Sequence, residues 1–170
     1  MTVAIKIDSF MLSPAPELSL YELAAVAFTA AGIDSFSLCC PHEIFQTVKS
    51  AFPDNCIRSD TLQGDIVIDK PMLITKAGAR ALINGDRAGI LKGCIPITDA
   101  CSLFEAQKIA SLATIEEHLK NGVRFWDSAG VYIDPRTSIG AGSVVLPGTI
   151  IKGCCSIGQN CTLGPNSVID

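Results

Sequence analysis

The chain has 170 residues, with 13 Lys and Arg against 17 Asp and Glu, and a formal charge of −4. A chain of this length makes one large domain or two small ones and can bury a sizeable core. Its basic residues are scattered rather than clustered, which argues against nucleic acid or an anionic membrane as the main partner.

The first residues, MTVAIKIDSFMLSP, are too few and too polar for a signal peptide, and no apolar run approaches membrane-spanning length. Mean hydropathy is nevertheless high, at +0.39, and a subunit interface is the easiest place to hide the excess. The eight cysteines lack the paired CxxC spacing of a zinc site. Cys39, Cys40 and His42 come nearest to a metal cluster. Neighbouring residues of a strand point to opposite faces, so the two thiols chelate one ion poorly. The cysteines are read as small buried hydrophobes in a reducing cytoplasm.

In chain order, TVAIKI predicts a strand and SLYELAAVAFTAAG a helix, with Ser19 and Glu22 at capping-box spacing and Gly32 at its end. Glu22 is the sole charge between Leu20 and Ala31, so this helix is expected to be covered on most sides. DSFSLCC predicts a second strand, EIFQTVKSAF a second helix stopped by Pro53, and DIVID a third strand. Thr75 caps a short helix through KAGARALI, closed by the Asn84-Gly85 turn. The alternation implies a small, mostly parallel α/β sheet.

NGDRAGILKGCIPITDA reads as turn-rich, and its glycine-bearing opening NGDRAG as a turn rather than a phosphate cradle. A longer helix follows, with Ser102 and Glu105 again at capping-box spacing. Ile109, Leu112, Ile115 and Leu119 recur at helical intervals, and Asn121-Gly122 ends the run. Glu116 and Lys120 pair along its exposed side, and its acids and His118 read as a solvated face.

From there an aliphatic residue returns every six positions: Ile133, Ile139, Val145, Ile151, Ile157, Leu163 and Ile169. Four residues after each of the first six stands a small one: Thr137, Ser143, Thr149, Cys155, Cys161 and Ser167. Six fits neither a helix face nor two-residue strand alternation. It fits a triangular coil, one short strand and one turn per side, in which three hexapeptides make an 18-residue rung. Ile133, Ile151 and Ile169 then stack, as do Ile139 with Ile157 and Val145 with Leu163. Rungs are expected about 4.8 Å apart, hydrogen-bonded as parallel strands. The small residues take the corners, where Cys155 and Cys161 replace Ser or Thr. Gly140, Gly158 and Gly164 follow aliphatic positions, where tight turning or close backbone approach favours glycine. Slightly more than two rungs leave an open strand edge, so either further chain is expected after Asp170 or a partner is expected to cover that end.

This pattern resembles the left-handed parallel β-helix of the hexapeptide-repeat transferases. The preceding stretch EAQKIASLATIEEHLKNGVRFWDSAGVYIDP, with Asn121-Gly122-Val123 and Tyr132-Ile133-Asp134-Pro135, is similar to the linker helix and first rungs of one of its families. These are the bacterial bifunctional N-acetylglucosamine-1-phosphate uridyltransferase/glucosamine-1-phosphate acetyltransferases. The resemblance covers Ser102 to the end. Fainter likeness to the uridyltransferase domain runs through AAGIDSFSLCCPHEIFQTVKSAF and DIVIDKPMLITKAGARALI. There Asp69 takes the place of the aspartate that helps hold the catalytic magnesium, although Ile68 stands where the family usually has glycine. In place of the family's glycine-rich nucleotide loop the chain reads DSFMLSPAPELS, without glycine or lysine.

The resemblance implies an α/β domain over 1–97, a linker helix over 98–122 and a short left-handed parallel β-helix over 123–170. It implies a cytoplasmic homotrimer assembled through the β-helix, a sugar nucleotide such as UDP-N-acetylglucosamine as ligand, and magnesium at Asp69. Neither active site is expected to be complete, because the family's later rungs carry the acetyl-transfer residues and the nucleotide loop is changed. No catalytic or substrate-binding residue is assigned. The chain is expected to act as an oligomerising or sugar-nucleotide-binding relative, or as a fragment of the larger enzyme. The alternative is an active nucleotidyltransferase or acyltransferase with a divergent site.

Overall fold

The computed structural model describes residues 1–8, 11–12 and 18–170. They form two compact units, Met1–Gln107 and Lys108–Asp170. No helix among the described residues is long and apolar enough to cross a membrane.

The first unit opens with β1 (Thr2–Lys6), α1 (Leu20–Thr29), β2 (Ser35–Cys39) and α2 (His42–Val48), the last followed by a 3-10 turn at Lys49–Ala51. Two short strands follow, β3 (Ile57–Ser59) and β4 (Ile66–Ile68). The four strands form one sheet in the order β3-β2-β1-β4, and every pairing in it is parallel. β3 was not anticipated: Ile57 is exposed at the sheet edge, so the strand carries no alternating apolar signal. On β1 and β2, Val3, Ile5, Phe36 and Leu38 are fully buried. Phe36 meets Phe28 and Phe52 edge to face, with ring centroids 6.5 and 5.0 Å apart.

The expected caps form. The Glu22 carboxylate accepts the backbone N–H of Ser19 at 2.7 Å, and α1 buries Leu20, Leu23, Ala24, Ala25, Ala27 and Phe28. Thr75 accepts the N–H of Gly78 at 3.1 Å and starts α3 (Lys76–Asn84), which Gly85 closes in the left-handed conformation. The segment expected to be turn-rich holds more structure than that. Asp86 accepts the N–H of Ala88 at 3.1 Å and caps α4 (Arg87–Gly93). Beyond it, β6 (Cys94–Pro96) pairs antiparallel with β5 (Met72–Ile74). Gly85 turns the chain as expected, whereas Gly93 has a packing reason: with Gly78 of α3 it brings α3 and α4 into backbone contact.

Helix α5 (Ala100–Lys120) begins earlier than its expected cap. Asp99 accepts the N–H of Ser102 at 2.8 Å, and the Ser102 hydroxyl accepts the N–H of Asp99 at 3.0 Å. Ser102 therefore completes the cap from the third helical position. Hydrogen bonds from the Ser102 backbone and side chain hold the Asp99 carboxyl below its ordinary value. His118 is not on a solvated face: it is 6% exposed. It lies one helical turn beyond Thr114 and Ile115, both buried, and position on the helix outweighs its polarity. Of the four apolar residues at helical intervals, Ile115 alone is buried; Ile109, Leu112 and Leu119 are exposed.

The second unit continues with two-residue strands: β7 (Arg124–Phe125), β8 (Tyr132–Ile133), β9 (Ser138–Ile139), β10 (Val144–Val145), β11 (Ile150–Ile151), β12 (Ser156–Ile157), β13 (Thr162–Leu163) and β14 (Val168–Ile169). They assemble into three narrow parallel sheets, β7-β10-β13, β8-β11-β14 and β9-β12. The expected stacks form residue for residue. Ile151 pairs with Ile133 and Ile169, Ile157 with Ile139, and Val145 with Leu163. Phe125 joins the stack under Val145. It was overlooked because two extra residues separate it from Ile133, breaking the six-residue count.

At the corners, Thr137, Ser143 and Thr149 are buried, while Cys155 and Cys161 are half-buried. Each hydroxyl or thiol donates to a backbone carbonyl: Thr137 to Gly153, Ser143 to Gly158, Cys155 to Lys152. At Gly140 a Cβ would strike the backbone of Gly158 and Gln159, so close approach does demand glycine there. Gly158 faces no such contact.

Candidate functional site

In the first unit the chain runs outward from β1 to β2 and β3, then returns to add β4 on the other side of β1. In an open parallel sheet such a reversal opens a crevice at the carboxyl ends of the two strands, because their connections diverge there. The reversal here lies between β1 and β4, in the register Val3 with Ile66 and Ile5 with Ile68. Continued by one residue, that register sets Asp69 beside Lys6.

Asp69 directly follows β4 and is exposed. Asp8, two residues beyond β1, is half-buried; its carboxylate accepts the N–H of Met11 at 3.0 Å, and its carbonyl accepts the N–H of Leu12 at 3.3 Å. The segment in the place of a nucleotide loop, DSFMLSPAPELS, lies partly outside the described residues: Ser9, Phe10 and 13–17 are not among them. Asp8 was not singled out from the sequence, because its position beside the reversal depends on strand order, which no local pattern carries.

Among the described residues no group of three or more His, Cys, Asp and Glu is placed to hold a metal ion, and a hard divalent cation needs several oxygen ligands. Cys39 ends β2 half-buried and Cys40 is buried, while His42 is exposed. Burial pushes the Cys40 thiol up, and it pushes Cys56 and Cys94 up to about 11. Thiols so protonated are poor nucleophiles at neutral pH. All eight cysteines are free.

In the second unit, Asp134 of the YIDP stretch is fully buried. Its carboxylate accepts the backbone N–H of Arg136 at 2.9 Å and the guanidinium at 2.9 and 2.8 Å. Its own N–H donates to Ile151 at 2.9 Å. A bidentate pair in this position fixes the turn between β8 and β9, so the residue serves the coil rather than a ligand.

Comparison with known proteins agrees with this coil. Residues 136–170 match the family model described as bacterial transferase hexapeptide (six repeats). Over 113 residues, 66% of the chain, the sequence is 34% identical to the bifunctional protein GlmU of Geobacillus sp. (strain WCH70), covering 24% of that protein. Identity and coverage are the same for the bifunctional protein GlmU of Geobacillus thermodenitrificans. A stretch of 70 residues, 41% of the chain, is 41% identical to the GlmU of Thermoanaerobacter pseudethanolicus, covering 15% of it. The chain thus spans about a quarter of the length of the curated relatives it matches. No solved structure matches it. Repeat, register and relatives converge: residues 136–170 carry the hexapeptide repeat of bacterial transferases, and the chain is similar to the bifunctional GlmU proteins.

Proposed function

We propose that this chain is a binding and assembly relative of the GlmU proteins in the cytoplasm, taking a sugar nucleotide such as UDP-N-acetylglucosamine at the carboxyl ends of β1 and β4. The observation that carries this reading is the strand reversal between β1 and β4, with Asp69 exposed at its mouth. A carboxylate there can accept hydrogen bonds from the hydroxyls of a sugar or ribose, as the acidic residue of other doubly wound sheets does.

The coil carries the assembly role, wound left-handed and trimeric. Strands alternate, so Tyr132, Ile150 and Val168 turn outward while Ile133, Ile151 and Ile169 turn in. The three outward residues stack in register, and Val168 is 64% exposed. The equivalent outward ladder of β9 and β12 is Ser138 with Ser156. An apolar outer face beside a polar one supports side-by-side packing of prisms through β8, β11 and β14.

Calorimetric titration of UDP-N-acetylglucosamine, with and without magnesium, tests the binding role. Saturable binding that Asp69→Ala weakens supports it, and no heat at millimolar ligand overturns it. Magnesium-dependent binding with turnover would favour the second reading, an active nucleotidyltransferase with magnesium at Asp69. Sedimentation of Ile150→Glu tests the assembly role, with a threefold fall in mass expected.

A further inference from the structure

The register of the first sheet sets four residues in one row across its strands. Lys6 of β1 pairs with Cys39 of β2, and Cys39 with Ser59 of β3. On the other side, the register of β1 with β4 carried one residue on brings Asp69 beside Lys6. Residues opposite one another in a ladder share a face, and successive residues alternate. Phe36 meets Phe28 of α1, so Leu38, two residues on, lies on the helix side with its partners Ile5 and Ile68, all buried. The row one residue later lies on the opposite face.

The connection from β3 back to β4 occupies half of this row. The Cys39 thiol donates to the carbonyl of Asp60 at 4.0 Å, and the Ser59 hydroxyl accepts the N–H of Thr61 at 3.1 Å. Behind the row the same connection closes on Ala4, where a Cβ on Gly64 would lie 3.0 Å from the Ala4 methyl. Lys6 and Asp69 are left exposed, and among the described residues neither side chain makes a hydrogen bond or ion pair. An ammonium with three donors and a carboxylate that only accepts thus stand one strand spacing apart, about 5 Å at their bases. The ligand that matches such a pair carries an anionic group and a hydroxyl a few bonds apart. A sugar joined to phosphate has both, and a free sugar has only the second.

We propose that Lys6 is the phosphate-binding residue of this crevice, with Asp69 accepting from a hydroxyl of the attached sugar beside it. The assignment rests on the reading of the crevice as a sugar-nucleotide site. It draws from the last residue of β1 the cation that DSFMLSPAPELS lacks. An ammonium is a point charge rather than a planar fork, so it separates phosphorylated ligands from unphosphorylated ones without fixing one phosphate geometry.

The test is calorimetric titration of UDP-N-acetylglucosamine into the full chain, as wild type, Lys6→Gln and Lys6→Arg, at two salt concentrations. Lys6→Gln is expected to lower affinity by about tenfold through loss of one charge-assisted hydrogen bond, and Lys6→Arg to keep most of it. Added salt is expected to weaken binding by wild type and Lys6→Arg, and to affect Lys6→Gln much less. A lysine with a merely structural role would not change the salt response. Equal affinity of wild type and Lys6→Gln, or the same salt response in both, overturns the assignment and leaves the sugar-nucleotide reading standing. No heat from wild type at millimolar ligand overturns that reading and the assignment with it.

Discussion

The hydroxyl of Ser143 accepts the backbone N–H of Cys161 at 3.0 Å and donates to the carbonyl of Gly158 at 3.0 Å. One fully buried serine thereby ties its own corner to the corner stacked on it, one rung later. Ser143→Ala would leave a backbone N–H and a carbonyl without their partner inside the coil. A loss of about 1–3 kcal/mol in urea unfolding is expected. Ser167→Ala, at a corner where the hydroxyl reaches only the Pro165 carbonyl, should change stability by less than about 0.5 kcal/mol. Equal effects at the two positions would show that the corner hydroxyls do not hold the rungs together.

The contact of α3 with α4 leaves no room for a methyl group. A Cβ on Gly93 would fall on the backbone of Gly78 and lie 3.0 Å from the Thr75 hydroxyl. The same Gly93 carbonyl accepts from the Thr75 N–H at 2.9 Å, so the helix cap and the crossing share one point. Gly93→Ala is expected to destabilise the first unit by about 1–3 kcal/mol. Thermal melting against Ala88→Ser, an exposed change on the same helix, is the measurement. An unchanged melting temperature for Gly93→Ala would refute close packing of the two helices.

Cys56 and Cys94 give the first unit a dependence on alkaline pH. Their folded values are raised from 9.0 to about 11, first by burial. Below pH 9.0 both thiols are protonated folded and unfolded, and neither affects stability. Between 9.0 and about 11 the unfolded chain releases protons that the folded one retains, so stability falls as pH rises. Melting followed across that window should fall more steeply for wild type than for Cys56→Ala/Cys94→Ala. Parallel slopes would mean that the thiols are ordinary.

Much of the coil was legible because a six-residue period is a local rule repeated. Each hexapeptide makes one side of a triangle, so counting by 18 names the residues that stack, and the stacks of Ile133, Ile151 and Ile169 follow. The rule fails at Phe125 for the same reason it works elsewhere, since two extra residues displace the count without displacing the side chain from the core. The caps at Ser19 and Thr75 were likewise local, set by residues within one helical turn. The cap of α5 was misplaced because the spacing of Ser102 with Glu105 overlaps that of Asp99 with Ser102, and it is the Asp99 carboxylate that accepts the N–H of Ser102, at the third helical position.

The sequence by itself determined the α/β unit, the long helix and the register of every stacked aliphatic pair from Ile133 onward, because each depends on residues close along the chain. Only the tertiary structure decided the strand order β3-β2-β1-β4, the contact of Gly78 with Gly93, the burial of His118 and the place of Asp69 beside the end of β1. These join segments tens of residues apart. Their pairing is set by which apolar faces can be covered together, a condition on the whole unit that no short stretch contains.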